Sequence, residues 1–215
     1  MVHLVAALLI VPQQEIVTSL WSVGTVDGKP AEFGLAPGGY ERYGTDAVFV
    51  VGLSKASDVP YVLPGPNDTW ASNTGHRLDI AFGLTGKPTR ARFALHLSDT
   101  HPSAPPRLTL SVNGKRLSDW QSPAGLGDDL VLGKSQVGRT SDWSVEIPAA
   151  NLRPGNNTVT IGNESGSWAV LDAIRMETTG NARLQPVVPT VKIEPAPSRQ
   201  AVLRTTDGPR QPVSV

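Results

Sequence analysis

From about residue 19 onward, apolar residues recur at every second position or gather in short runs, and almost never at the 3.6-residue spacing of a helix. The segments DAVFVVGL (46–53), HRLDIAFGL (76–84), ARFALHLS (91–98), RLTLSVNGKRL (107–117), DWSVEIP (142–148), NTVTIGN (157–163) and AVLDAIRMET (169–178) each read as a strand. In RLTLSVNGKRL, Leu108, Leu110 and Val112 face one way. Asn113-Gly114 follows them, a pair that tolerates positive φ at both positions and so predicts a two-residue hairpin. In NNTVTIGN, Val159 and Ile161 face the core and the threonines face out. Pro148 and Pro154-Gly155 interrupt the stretch between the last strands, leaving room for at most one helical turn at 149–152. The 21 glycines and 19 prolines are spread along the chain rather than gathered in a repeat, so turns separate short strands throughout. About eight such strands predict an all-β fold, an antiparallel β-sandwich of the jelly-roll type.

A chain of 215 residues suffices for one such sandwich with a tail. Nineteen basic residues balance nineteen acidic ones, so neither nucleic acid nor an anionic membrane surface is an expected partner. The absence of cysteine removes disulfides, thiolate nucleophiles and cysteine zinc sites together. At the start, MVHLVAALLIVPQQ holds an apolar stretch from Leu4 to Val11 that is too short to span a bilayer. No lysine or arginine precedes it and no small-x-small cleavage site follows, so it makes a poor signal peptide and reads more simply as a strand. Beyond Thr179 the sequence turns rich in proline and poor in aromatics, as in a linker that leads into a further β module.

Four stretches in order, LWSVGTVDGKPAEF (20–33), VFVVGLSKASDVPYVLPGPNDTWA (48–71), LSDTHPSAPPRLTLSVNGK (97–115) and WAVLDAIRMET (168–178), resemble the C-terminal jelly-roll domain of rhamnogalacturonan lyases of polysaccharide lyase family 4. The resemblance covers roughly residues 19–178 and implies a galactose-binding-like sandwich similar to carbohydrate-binding modules. In that family a catalytic sandwich and a small fibronectin-type domain precede this one, and the catalytic lysine and histidine lie in the first domain. No stretch here matches it, so the resemblance carries over no catalytic residue. It implies residues 1–18 as a leader or the tail of an upstream domain, 19–179 as the jelly roll, and 180–215 as a linker that departs from the family pattern. The function implied is a non-catalytic module that holds an attached catalytic domain on pectic rhamnogalacturonan or a related polysaccharide, outside the cell or in the periplasm. A direct contribution to endolyase β-elimination and a ligand-free structural spacer are the alternatives.

A β-eliminating lyase needs a base near the α-proton of a uronate and a cation for the developing charge. The candidates of those types are His76, His96, His101, Lys55 and Lys87, and no triad order or metal-binding histidine cluster joins them. His96 alternates against Phe93, Leu95 and Leu97 and so faces away from the core. Sugar binding instead needs aromatic faces for C–H groups, with amides, carboxylates or arginines for hydroxyls and uronate carboxylates. The loop PGPNDTWASN offers Asn67, Asp68 and Trp70, with Tyr61 just before it, and SDTHPSAPP offers Asp99 and His101. Trp120 follows the Asn-Gly hairpin. For Trp70 and Trp120 both ligand stacking and packing stay open, and the Asp99-x-His101 spacing fits either an oriented imidazole or a locally hydrogen-bonded loop. Trp21, Trp143 and Trp168 read as packing. Many jelly-roll carbohydrate modules tie the first strand to the last with a structural calcium, and Glu32 and Asp172 occupy comparable places here. An Asp172 bonded to backbone is the competing reading.

Overall fold

The computed structural model describes residues 17–188 and the backbone of 191–195 and 201–205. The apolar segment Leu4–Val11 lies outside the described residues. In chain order the strands are β1 (Thr18–Gly24), β2 (Ala47–Val50), β3 (Val62–Leu63), β4 (Arg77–Leu84), β5 (Arg90–Thr100), β6 (Arg107–Val112) and β7 (Lys115–Gln121). There follow β8 (Ser141–Ile147), β9 (Gly155–Ser165), β10 (Ala169–Thr179), β11 (Leu184–Gln185), β12 (Val191–Pro195) and β13 (Ala201–Thr205). One sheet runs β1-β10-β5-β8, with β3 pairing to β10 beyond the end of β1. The other runs β11-β4-β9-β6-β7, with β2 on β4, while β12 and β13 form an antiparallel pair of their own. Two packed sheets make the predicted all-β jelly-roll sandwich. The helical content among the described residues is confined to short 3-10 turns, one of them Ala149–Asn151, where the prolines leave room for a single turn.

Alternation decides which side chains enter the space between the sheets. Leu108, Leu110, Val112, Val159 and Ile161 are fully buried, and so are Phe93, Leu95 and Leu97. His96 faces out of the same strand, its Nδ1 2.6 Å from Asp142 Oδ1. Asn113 and Gly114 adopt φ of 52° and 80°, the double left-handed conformation of a tight hairpin, and Val112 pairs with Lys115 across it. Trp21, Trp143 and Trp168 are buried, in keeping with their reading as packing residues, and Trp21 lies 5.7 Å from the ring of Phe82. Trp120 differs from expectation. It sits on β7 rather than in a loop and stacks on Trp143 of β8 at 5.6 Å and 17°, so its indole closes one side of the sandwich where an edge strand of each sheet meets the other.

Two departures from the sequence reading have physical causes. The sheets are not wholly antiparallel: β2 pairs in parallel with β4, because the connection at 51–76 crosses to the first sheet to form β3 before it returns. The proline-rich segment also does not begin at 180. Ala182 is buried, Leu184 and Gln185 pair with Leu84 and Gly83, and Asn156 exchanges hydrogen bonds with Val188. Those residues cover an edge of β4 that would otherwise present unpaired amides. A chain ended after Thr179 is therefore expected to melt at least about 4 °C below one ended after Val188, a difference of about 1–2 kcal/mol for a domain of this size. Thermal melts of the two truncated proteins, compared directly, check this.

Candidate carbohydrate-binding site

Strands β5 and β10 pair along their whole length, and where β5 ends and β10 begins the loops of both sheets converge. Backbone bonds knit these loops together. His101 N–H donates to Trp168 O at 3.1 Å, Ser167 N–H to Ala104 O at 2.9 Å, and Asn67 N–H to Gly166 O at 3.0 Å. Buried side chains tighten the same knot. Asn163 Nδ2 donates to Leu63 O and Ser167 O, while Asp68 accepts from Gly65 N–H at 2.8 Å and from the Ser167 hydroxyl. Burial pushes the Asp68 carboxyl above its usual range despite these hydrogen bonds, which pull the other way.

Between the loops lies a cleft of about 400 Å³, lined by Tyr40, Asn67, Asp68, Thr69, Trp70, His101, Ala104, Asp128, Val131, Leu132, Ser167 and Trp168. Trp70 rides on the 3-10 turn Thr69–Ala71 and is braced edge-on by Tyr40 at 5.1 Å and Tyr43 at 6.4 Å. His101 meets the Trp168 ring at 5.5 Å. Its Nδ1 accepts N–H groups from Ser103 at 3.2 Å and Ala104 at 2.9 Å, so the ring proton of the neutral imidazole sits on Nε2, the nitrogen left to donate to a ligand. The Tyr40 phenol is held above its ordinary range, first by partial burial and then by the carboxylates of Glu41 and Asp128. The cleft thus combines partly exposed aromatic faces with an imidazole N–H, an amide and a solvent-facing carboxylate, the groups that recognise C–H faces and hydroxyls.

Of the residues named from sequence, the fold brings Asn67, Asp68, Trp70 and His101 together here, and Tyr61, Asp99 and Trp120 stay out. Tyr61 is fully buried, and its hydroxyl donates to Val131 O beneath the cleft, so it supports the wall instead of touching a ligand. Asp99 is 1% exposed, and its Oδ1 accepts from Thr100 N–H and Leu126 N–H. It anchors the β7–β8 loop and leaves the imidazole of His101 to the backbone of its own loop. Trp120 is committed to its stack on Trp143. The sequence reading missed Tyr40, Asp128 and the cleft-lining edge of Trp168. Tyr40 stands in APGGYERYG and Asp128 in GLGDDLVLG, both glycine-rich loops, but nothing local shows that these loops reach the same end of the sandwich.

A larger hollow of about 700 Å³ lies at the other end of β5 and β10, lined by residues that include Arg92, Glu146, Pro148 and Glu177. It has no aromatic wall, and Arg92 donates to Glu177 at 3.0 and 2.5 Å, so its central charges satisfy each other. The smaller cleft has the better chemistry for a sugar.

The last strand and the first loop are tied together, as the calcium reading requires, but by hydrogen bonds. Asp172 is 2% exposed, and its Oδ1 accepts N–H groups from Asp27 at 3.2 Å, Gly28 at 2.9 Å and Lys29 at 3.1 Å. Three amide dipoles with their positive ends on that oxygen disfavour a cation there, and among the described residues no cluster of three or more His, Asp or Glu side chains is placed to hold a metal. The bonds of Asp172 Oδ1 to the first loop run to the amides of 27–29. Gly24, just before the loop, has φ of 76°, and a Cβ there would lie 2.3 Å from Asp172 O, so the approach of the two segments depends on glycine.

An all-β sandwich with such a cleft at one loop end defines a carbohydrate-binding-module-like domain. The chain belongs to the CBM-like family that forms domain III of polysaccharide lyase family 4, whose sequence profile matches residues 19–176. A Neurospora crassa protein named "Putative rhamnogalacturonase" is 27% identical over 158 residues, which cover 70% of this chain but 28% of that protein. The chain therefore spans little more than a quarter of the length of that relative. Among solved structures, a family 35 carbohydrate-binding module from an environmental isolate is 16% identical with a TM-score of 0.40, covering 82% of this chain and 96% of that one. A family 35 module from Cellvibrio japonicus is 17% identical with a TM-score of 0.36, covering 53% and 73%.

Asp172→Ala leaves three amides facing an emptied acceptor and is expected to cost about 2–4 kcal/mol, a fall of roughly 5–15 °C in Tm. The pH dependence has a definite sign. Burial, outweighing the three amide bonds, raises the folded-state Asp172 carboxyl above its ordinary value of 3.8, so its contribution is fully present below that value and is lost as pH climbs through the raised one. The Tm advantage of wild type over Asp172→Asn should therefore be largest below the ordinary value of 3.8 and shrink as pH rises above it. Melts of both proteins below and above that value check the sign.

Proposed function

We propose that this chain is a non-catalytic carbohydrate-binding domain that holds a polysaccharide-degrading neighbour on a pectic polymer, rhamnogalacturonan or a close relative, outside the cell. The observation that carries the reading is the cleft itself, which partly exposed Trp70 and Tyr40 line together with Asn67, His101 and Asp128. Family membership in a polysaccharide lyase domain and the rhamnogalacturonase name of a distant relative support the choice of polymer. No part of the chain resembles the family's catalytic domain, so the role is attachment. Tethering raises the effective concentration of polymer at the neighbouring enzyme and makes successive encounters intramolecular. Among the described residues no helix is long and apolar enough to cross a membrane.

The test is depletion of the protein from solution by insoluble rhamnogalacturonan, with cellulose as the control. Wild type is expected on the pectic polymer. Trp70→Ala should weaken binding by about tenfold, roughly 1.4 kcal/mol, as expected for an aromatic anchor. The same samples, incubated with soluble rhamnogalacturonan, should produce no unsaturated-uronate absorbance. Equal depletion of wild type and Trp70→Ala would move the site away from the cleft, and absorbance rising with this chain alone would make it an enzyme.

A further inference from the structure

We infer that the cleft takes an uncharged sugar unit and disfavours a uronate, a step that rests on the reading of the cleft as the sugar site. The ionisable side chains lining it are Asp68, Asp128, His101 and Tyr40, and neither lysine nor arginine is among them. Each acidic group there has a definite position. Asp68 is buried and bonded to Gly65 and Ser167, so its carboxyl belongs to the wall, whereas Asp128 faces solvent. The Tyr40 hydroxyl, which donates toward Glu41 Oε1 at 3.3 Å, lies in the field of Glu41 and Asp128 together.

A uronate carboxylate leaving water needs a cation or several strong donors to replace its hydration, and arginine is the usual partner. This cleft would set it against carboxylates. The donors on offer are few and neutral: His101 Nε2–H, with its proton fixed there by the backbone bonds to Nδ1, and the Asn67 amide. A pair of sugar hydroxyls suits the same surface. Hydroxyls donate to the Asp128 carboxylate, accept from the imidazole and amide, and leave a C–H face for Trp70. On a polymer that mixes acidic and neutral sugars, the domain would therefore sit on the neutral units, either in the backbone or in side chains, and leave uronates to whatever else binds them.

The experiment is calorimetric titration of the full chain with L-rhamnose, a neutral galactan tetrasaccharide and a de-esterified tetragalacturonide, at low and high salt. A neutral probe is expected to bind with an affinity insensitive to salt, and the rhamnose and galactan arms tell backbone from side-chain units. The tetragalacturonide should bind at least tenfold more weakly at low salt, with the gap narrowing at high salt and in Asp128→Asn. Asp128 is solvent-facing, and an unchanged Tm shows that the variant is folded. Tetragalacturonide binding as tight as the neutral probes, and weakening with added salt, would overturn the preference while leaving the sugar site intact. If all three probes fail to bind, or a neutral probe binds wild type and Trp70→Ala alike, the sugar-site reading falls and the preference with it.

Discussion

Strand β10 hydrogen-bonds to β5 along one edge and to β1 and β3 along the other, so it has no solvent edge and each polar group on it needs a partner inside the protein. The β5–β10 ladder is broken twice, between Val170 and Leu171 and between Leu171 and Ala173. Those breaks leave Ser98 on β5 and Asp172 on β10 without opposite numbers. A bulge re-aims the side chains around it. Here Asp172 reaches the amides of 27–29, Ser98 donates to Leu171 O, and Asp99 accepts from Leu126 N–H. One irregular stretch in a central pair thereby fixes the first loop, the long β7–β8 loop and the point from which His101 and Trp168 emerge.

That arrangement explains why the cleft is built from so few mobile parts. Its walls come from connections in different parts of the sequence, yet each is tied to another by backbone bonds or by a buried carboxylate, so little ordering remains to be done when a ligand arrives. Asp68 shows the division of labour within the site. Its carboxyl, though it borders the cleft, is spent on Gly65 and Ser167, and recognition is left to the groups around it.

The fold was legible because burial on one face leaves a period of two in the sequence. The segments around Leu108, Val159 and Phe93 show that signal plainly, and each became a strand with those side chains inside. The hairpin at Asn113-Gly114 was legible for a local reason, since two adjacent residues tolerant of positive φ describe one turn. The site was legible where a single loop has the composition of a binding segment, as the loop of Asn67, Asp68 and Trp70 does and the loop of His101 does separately. Tyr40 and Asp128 are joined to them by topology alone, which no local pattern records. Tyr61 and Asp99 misled for the opposite reason: a tyrosine or aspartate beside a polar loop has the composition of a binding residue, and only burial shows that its polar atoms are already taken. Asp172 was read as one half of a calcium pair with Glu32, with bonding to backbone as the competing reading, and three amides of the first loop bond its Oδ1.

Thr18, at the start of β1, pairs with Thr178 near the end of β10. The entry to β1 and the exit from β10 thus lie side by side, while the cleft sits at the opposite end of β10, roughly 30 Å away along an extended strand. Whatever lies against Thr18 and Thr178 is therefore held a strand's length from the cleft.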